Sequence, residues 1–289
     1  MITLHNGEKL DFIVASGALG LDGRGYFWEK PFIWAGILDP SKFVITTKTL
    51  TFNPRRGNLD YLRPWRCIRY LGNGNFANAV GLTNPGYSAW IREYYPKTKG
   101  LKIIPSIAPE TFCEGMMMAN ELDDLDIVAI EVNLSCPNSQ VTKEGLEGVF
   151  QHSTLPIIIK LAHNQLDICR DYYEWASAFN LINSVVWSDM FDTESPFKQY
   201  GFIGGVSGPI IKEKARQALA EAKIVCGRTP IISGGGIDSC EEVYARYVMG
   251  ARAFSFGTLF LRKPWLPNQI VTECRKTMEN KNGRTENIE

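Results

Sequence analysis

A closed (β/α)8 barrel of the TIM type, an α/β fold, is what this chain predicts, and three observations carry that expectation. Eight short β-branched runs recur along 289 residues, stretches long enough for a crossover helix separate them, and seven of the eight carry polar or glycine residues at or near their C-terminal ends. The runs are FIVASG (12–17), FVITTKT (43–49), LKIIPSIA (101–108), IVAIEVNL (127–134), PIIIKLA (156–162), LINSVVW (181–187), PIISGGG (230–236) and AFSFGT (253–258). Runs apolar on almost every residue suit strands covered on both faces, and returns with room for a helix suit parallel crossovers. Periodicity alone does not separate a closed barrel from an open doubly wound sheet, but eight units in under 300 residues favour the barrel.

The clearest helices are LDICRDYYEWASAF after the fifth run, PIIKEKARQALAEAK before the seventh and SCEEVYARYVMG before the eighth. Pro209 stands near the start of the second, where its missing N–H costs little. Between runs two and three lies FNPRRGNLDYLRPWRCIRYLGNGNFANAVGLTNPG, too rich in Gly, Asn, Arg and Pro for one crossover helix. It reads as an inserted rim or lid segment with small strands of its own. With no repeat and no low-complexity linker, residues 1–289 read as a single domain, with 280–289 as a solvated, flexible tail.

Lys+Arg and Asp+Glu are both 31, so the chain lacks the basic excess that favours nucleic acid or an anionic membrane surface, and a small-molecule partner is the better expectation. No apolar run is long enough to span a bilayer and MITLHNGEKLDF is not a signal peptide, which reads as a cytoplasmic protein. Seven scattered cysteines with no C-x-x-C pair write neither a disulfide framework nor a zinc or iron–sulfur site, and most read as small buried hydrophobes. The three histidines have no metal-like spacing, so no metal is expected, and Glu131 and Asp126 read as barrel-interior or edge charges.

Chemistry in such a barrel sits at the C-terminal ends of the strands. The runs deliver there Ala15, Ser16 and Gly17; Lys48 and Thr49; Asn133, Ser135, Cys136 and Asn138; Lys160; Asn183 and Ser184; Gly234 to Gly236; and Gly257 and Thr258. Glycines closing strands seven and eight, with GGVSG at 204–208, let backbone N–H groups converge on a phosphate without a Cβ in the way, although any one such loop can merely turn a corner. Lys48 and Lys160 are candidates for an anion, a polarised carbonyl or a Schiff base. Asn133, Asn138 and Asn183, with Asn78 in NAVGL, each offer a donor and an acceptor, which suits a planar ring of alternating C=O and N–H such as a pyrimidine. Cys136 stands beside Pro137 on a polar loop and is read as a proton-transferring thiol.

These residues resemble the class 1 dihydroorotate dehydrogenases, FMN-dependent (β/α)8 barrels. NLSCPN is the most specific fragment, and ASG, TKT, NAVGL, IIIK, INS, GGVSG, SGGG and FGT follow the family's order. The resemblance implies that Ala15, Ser16 and Gly17 pack on the flavin, that Lys48, Thr49, Asn133 and Lys160 contact FMN, and that Gly204, Gly205, Gly235, Gly236, Gly257 and Thr258 hold its phosphate. It implies that Asn78, Asn133, Asn138, Asn183 and Ser184, with Lys48 and the N–H groups of Gly81 and Leu82, grip dihydroorotate. Cys136 is then the base that takes the C5 proton while hydride leaves C6 for flavin N5, giving orotate in pyrimidine biosynthesis, with Lys48 assisting.

By the same resemblance the chain forms a homodimer and passes electrons to an acceptor such as fumarate or to a separate iron–sulfur flavin subunit. Departures are the segment VVWSDMFDTESPFKQYGFIGG, the missing Asn-Pro before ASG and the glycine-poor SQVTKEG loop, which leave acceptor and substrate identity open. The rival readings are a flavin oxidoreductase acting on another dihydropyrimidine or unsaturated ring, and a Lys160 Schiff-base aldolase or lyase.

Overall fold

The structure is a computed structural model that describes residues 1–60, 62–136 and 141–285. Its main sheet joins β1 (Phe12–Val14), β2 (Val44–Thr46), β3 (Lys102–Ile104 and Ser106–Ile107), β4 (Ile130–Asn133), β5 (Ile157–Leu161), β6 (Ala178–Leu181), β7 (Ile231–Ser233) and β8 (Ala253–Phe256). Every pairing is parallel, in the order β3-β2-β1-β8-β7-β6-β5-β4-β3. The first half of β3 pairs with β2 and the second with β4, so the sheet closes on itself. The break falls at Pro105, which has no N–H for the ladder. Its carbonyl still accepts from the Glu131 N–H at 2.9 Å.

The period-2 alternation of strands sorts the core into two shells. Residues turned outward, such as Phe12, Ile45, Ile103, Val132, Ile159, Phe179 and Phe256, form one apolar cluster with the surrounding helices. A second cluster takes one residue from each strand region, Ile13, Val44, Ile104, Ala129, Ile158, Ala178, Ile232 and Ala253. It is joined by Ile2, Leu4 and Leu10 of the N-terminal hairpin, which plugs the lower end of the barrel. Two residues further along each strand come Ala15, Thr46, Ser106, Glu131, Lys160, Asn180, Gly234 and Ser255. The interior therefore changes from apolar to polar in one step toward the mouth.

Around the barrel lie α1 (Lys30–Trp34), α2 (Tyr87–Glu93), α3 (Phe112–Asp123), α4 (Lys143–His152), α5 (Ile168–Tyr172), α6 (Lys212–Val225), α7 (Cys240–Val248), α8 (Thr258–Arg262) and α9 (Pro267–Thr285). The last helix continues to Thr285, into the stretch read from sequence as a tail. Strand six lies earlier than the expected 181–187: β6 is Ala178–Leu181, and the preceding helix stops at Tyr172. Asn180 interrupts the apolar pattern there because it faces the polar interior, donating to Glu131 Oε2 at 2.7 Å.

The expected rim segment has the expected strands. Ile68–Gly72 and Asn75–Asn78 form a hairpin, and Gly205–Ser207 and Val185–Val186 extend it into a four-stranded antiparallel sheet. Two insertions far apart in sequence thus build one wall over the mouth. Arg66 stacks over Tyr200 at 4.9 Å and ties their outer ends together.

Helix α4 positions the far end of the Cys136 loop. Thr142 Oγ1 accepts from the Gly145 N–H at 3.1 Å and donates to the Glu110 carbonyl at 2.9 Å. The helix then approaches α3 so closely that a Cβ on Gly115 collides with the Gly145 carbonyl oxygen. In an open helix position Gly→Ala gains up to about 1 kcal/mol. Here the sign reverses: Gly115→Ala is expected to lower the unfolding free energy by about 1–3 kcal/mol through overpacking, read as a lower urea midpoint.

Candidate active site

One hydrogen-bond chain threads five strand ends. Ser16 Oγ donates to the Thr47 carbonyl at 2.9 Å and also meets Thr49 Oγ1 at 2.9 Å. Thr49 Oγ1 lies 2.9 Å from Ser106 Oγ and accepts from Asn133 Nδ2 at 2.9 Å. One proton per hydroxyl fixes the directions: Ser106 donates to Thr49, Thr49 to Ser16, and Ser16 to the carbonyl. Asn133 Oδ1 accepts from the Ser135 N–H at 3.2 Å and from Ser135 Oγ at 2.6 Å, and Asn183 Nδ2 donates to Ser135 Oγ at 3.0 Å. Asn183 Oδ1 in turn accepts from the Ser184 N–H at 2.9 Å. The Asn133 amide therefore keeps one N–H for a ligand while its oxygen is occupied by Ser135.

Cys136 follows Ser135 directly and is half-buried, so the network fixes the start of the thiol's loop. Gln165 holds the same loop by donating to the Leu134 carbonyl at 3.0 Å. Asn138 lies outside the described residues. Lys48 is packed near Cys136. Burial pushes its ammonium below the usual value, and the sulfurs of Cys136 and Cys67 partly oppose that. Lys160, 6 % exposed, pairs in register with Asn133. Among the described residues neither lysine forms a salt bridge. Buried cations without a carboxylate partner are suited to an anionic or carbonyl-rich ligand.

On the rim wall, Asn78 pairs in register with Gly205, whose absent Cβ leaves room for the Ser184 hydroxyl. Gly81 and Leu82 have consecutive positive φ angles of 68° and 56°. Among the described residues their N–H groups donate to nothing, which leaves a small concavity of donors. Gly204 is placed differently: it abuts Phe197 and lines a recess of about 570 Å³ with Trp187, Phe191 and Phe202, on the divergent 185–203 segment.

The glycine loops of β7 and β8 meet at the same mouth. Gly257 approaches Ala15, with 3.4 Å between the Ala15 Cβ and a Cβ built on Gly257, and Thr258 opens α8. Gly17 lies against the Lys48 stem. Gly235 and Gly236 have φ angles of 82° and 77°. A Cβ on Gly236 would stand 2.9 Å from the Gly208 carbonyl, so Gly208 joins this cradle.

Sequence reading missed several of these groups. The apolar pattern of strand three does not single out Ser106, although the i, i+2 count from Ile104 places it inward. Glu131 does occupy the barrel interior, 1 % exposed, with Oε1 lacking a partner among the described residues, while Asp126 is exposed. His163 Nε2 lies 3.2 Å from Asp189 and pins the divergent segment to the loop after β5. Tyr26 donates through its hydroxyl to the Gly17 carbonyl at 3.0 Å, and the fully buried Glu29 holds that loop by accepting from the Tyr26 N–H at 2.6 Å and from Trp28 Nε1 at 2.7 Å. No group of three or more metal-ligating side chains occurs among the described residues. Nor is any helix among them long and apolar enough to cross a membrane.

A closed parallel barrel with a polar, glycine-rimmed mouth at its strand ends defines the class: a (β/α)8 protein whose candidate site lies at the C-terminal ends of its strands. The sequence profile described as Dihydroorotate dehydrogenase matches residues 34–278. The catalytic subunit of dihydroorotate dehydrogenase B (NAD(+)) from Caldicellulosiruptor saccharolyticus is 34% identical over 297 positions, covering 94% of this chain and 89% of that one. The same-named subunit of Desulforudis audaxviator is 31% identical over 288 positions, covering 93% and 88%. A solved dihydroorotate dehydrogenase from Eimeria tenella, in complex with ferulenol, shares the fold with a TM-score of 0.66 at 15% identity, over 94% of this chain and 82% of that one. The chain belongs to the dihydroorotate dehydrogenase family, as the resemblance of its motifs implied.

Burial pushes Glu29 up to about 7, against the opposing pull of its hydrogen bonds to Tyr26 and Trp28. An unfolded glutamate titrates near about 4.3, so the folded state holds this proton more tightly. The resulting stabilisation is complete below about 4.3 and is lost as pH rises through about 7. Glu29→Gln is expected to flatten the decline of stability with pH in that window, by up to about 1.4 kcal/mol per pH unit, measured by urea unfolding at stepped pH.

Proposed function

We propose that this chain oxidises dihydroorotate to orotate with FMN, acting in the cytosol as a catalytic subunit whose electrons leave through a separate iron–sulfur flavin subunit to NAD. The observation that carries the reading is the convergence at one barrel mouth of the Cys136 loop, the Lys48 ammonium and the Asn133–Ser135–Asn183 network. The acceptor is favoured by relatives named as catalytic subunits of an NAD(+) enzyme. Among the described residues no two cysteines are joined in a disulfide, which suits a reducing compartment.

The residues present fit FMN. Gly235 and Gly236, both at positive φ, offer N–H groups with no protein acceptor among the described residues, and Gly257 lies beside Ala15 at the same mouth. Ala15, Ser16 and Gly17 would lie along the ring, Lys48, Thr49, Asn133 and Lys160 would meet its polar edge, and Gly235, Gly236, Gly257 and Thr258 would hold the phosphate. FMN, when bound, supplies the acceptor for the hydride that leaves C6 of the substrate.

The chain's own part is to bind, orient and move one proton. Cys136, as thiolate, accepts the proton from C5 of dihydroorotate. The free N–H of Asn133 and the Lys48 ammonium stabilise charge that develops on the ring carbonyl as that proton leaves. The N–H groups of Gly81 and Leu82 would receive the substrate carboxylate, and Asn78, Asn183 and Ser184 would bracket the ring. Lys160 is set deep in the polar interior beside Asn133, a place suited to a cofactor edge rather than to a Schiff base.

Anaerobic addition of dihydroorotate to the purified yellow protein is expected to bleach the flavin absorbance. Cys136→Ala should keep the flavin and slow the bleaching by about 100-fold or more. A wild type that stays oxidised, or an alanine variant that bleaches equally fast, contradicts the assignment.

A further inference from the structure

Arg246 stands in the last turn of α7 with none of its surface exposed, a rare position for a cation. Its Nε donates to Glu242 Oε1 at 2.8 Å, one turn earlier on the helix. Nη1 donates to Ser233 Oγ at 3.1 Å and to the Gly234 carbonyl, and Nη2 donates to the Gly235 carbonyl at 2.6 Å. Glu242 also accepts from Arg216 of α6, at 2.6 and 3.2 Å, so two guanidiniums share one carboxylate and a net positive charge remains behind the loop.

The bonds to the two carbonyls are the informative ones. In a trans peptide the C=O and the following N–H point in opposite directions. Fastening the Gly234 and Gly235 carbonyls to α7 therefore turns the N–H groups of Gly235 and Gly236 away from α7 and toward the barrel mouth. Both residues have positive φ, and among the described residues neither N–H has an acceptor. Two successive N–H groups presented on one side are an anion-binding concavity. A side chain that satisfied only the helix would have no need to reach two loop carbonyls.

We propose that Arg246 is a positioning residue for the cofactor phosphate: it touches no ligand, but by holding two carbonyls from behind it aims two N–H donors at the phosphate. This rests on the FMN reading above and adds to it a residue outside the mouth. A merely structural arginine would stabilise the fold without distinguishing flavins that carry a phosphate from those that do not.

The test uses the full chain depleted of flavin, titrated with FMN and with riboflavin while flavin fluorescence is followed. Wild type is expected to prefer FMN. Arg246→Met should raise the FMN dissociation constant at least tenfold and leave that of riboflavin within about twofold. Arg246→Lys keeps the charge but loses the two-pronged grip. It should show a smaller loss confined to FMN, and it serves as the decisive variant if the methionine protein does not fold. An unchanged FMN-to-riboflavin preference in the folded variant overturns the role of Arg246 while leaving the FMN reading intact. A wild type that binds neither flavin overturns the FMN reading, and this role with it.

Discussion

The parallel register of a closed eight-stranded barrel is the constraint on which the rest depends. Because every strand runs the same way and side chains alternate with period 2, one step of two residues moves the whole interior from Ile13, Val44, Ile104 and Ile158 to Ala15, Thr46, Ser106 and Lys160. The apolar level, sealed by the N-terminal hairpin, supplies cohesion. The polar level above it forms the floor of the mouth. Burying Glu131, Lys160 and Asn180 there is costly, and the Asn180–Glu131 hydrogen bond offsets only part of it. Among the described residues Glu131 Oε1 has no hydrogen-bond partner, so the floor keeps polar capacity that the protein's own groups do not use.

The upper wall has a different origin. A hairpin inserted after β2 and a segment inserted after β6 complete one antiparallel sheet, which sets Asn78 beside Gly205 and Ser184. The divergent residues 185–203 are therefore not a loose appendage. They are fastened by backbone pairing at Val185–Val186 and by the His163–Asp189 contact. The outer recess around Trp187 and Phe202 is built from this segment.

Much of this was legible in the sequence because strand ends are punctuated by residues that no packed strand needs: Lys48, Asn133, Cys136 and the glycines after Ser233. Strand six was misplaced because Asn180 reads as a break in an apolar run, when it is an inward residue of the polar level. Pro105 divides β3 without ending it, since only its N–H side of the ladder is lost. Arg246 was invisible for a more general reason. In YARYV it has the spacing of an exposed helical arginine, and only the tertiary placement of α7 against the β7 loop turns it inward. Ser106 and Thr49 acquire their meaning from each other, through a contact 57 residues apart that periodicity does not encode.

The central proposal is that the polar level and the glycine loops bracket FMN and the substrate ring side by side, with Cys136 at the substrate and Gly235 and Gly236 at the cofactor phosphate. A crystal structure of the protein with FMN and orotate tests it most directly. The account predicts phosphate oxygens at about 2.7–3.2 Å from the Gly235 and Gly236 nitrogens, with the Cys136 sulfur facing C5 of orotate across the mouth. A phosphate bound elsewhere on the barrel, or a sulfur directed into the packed interior, would contradict it.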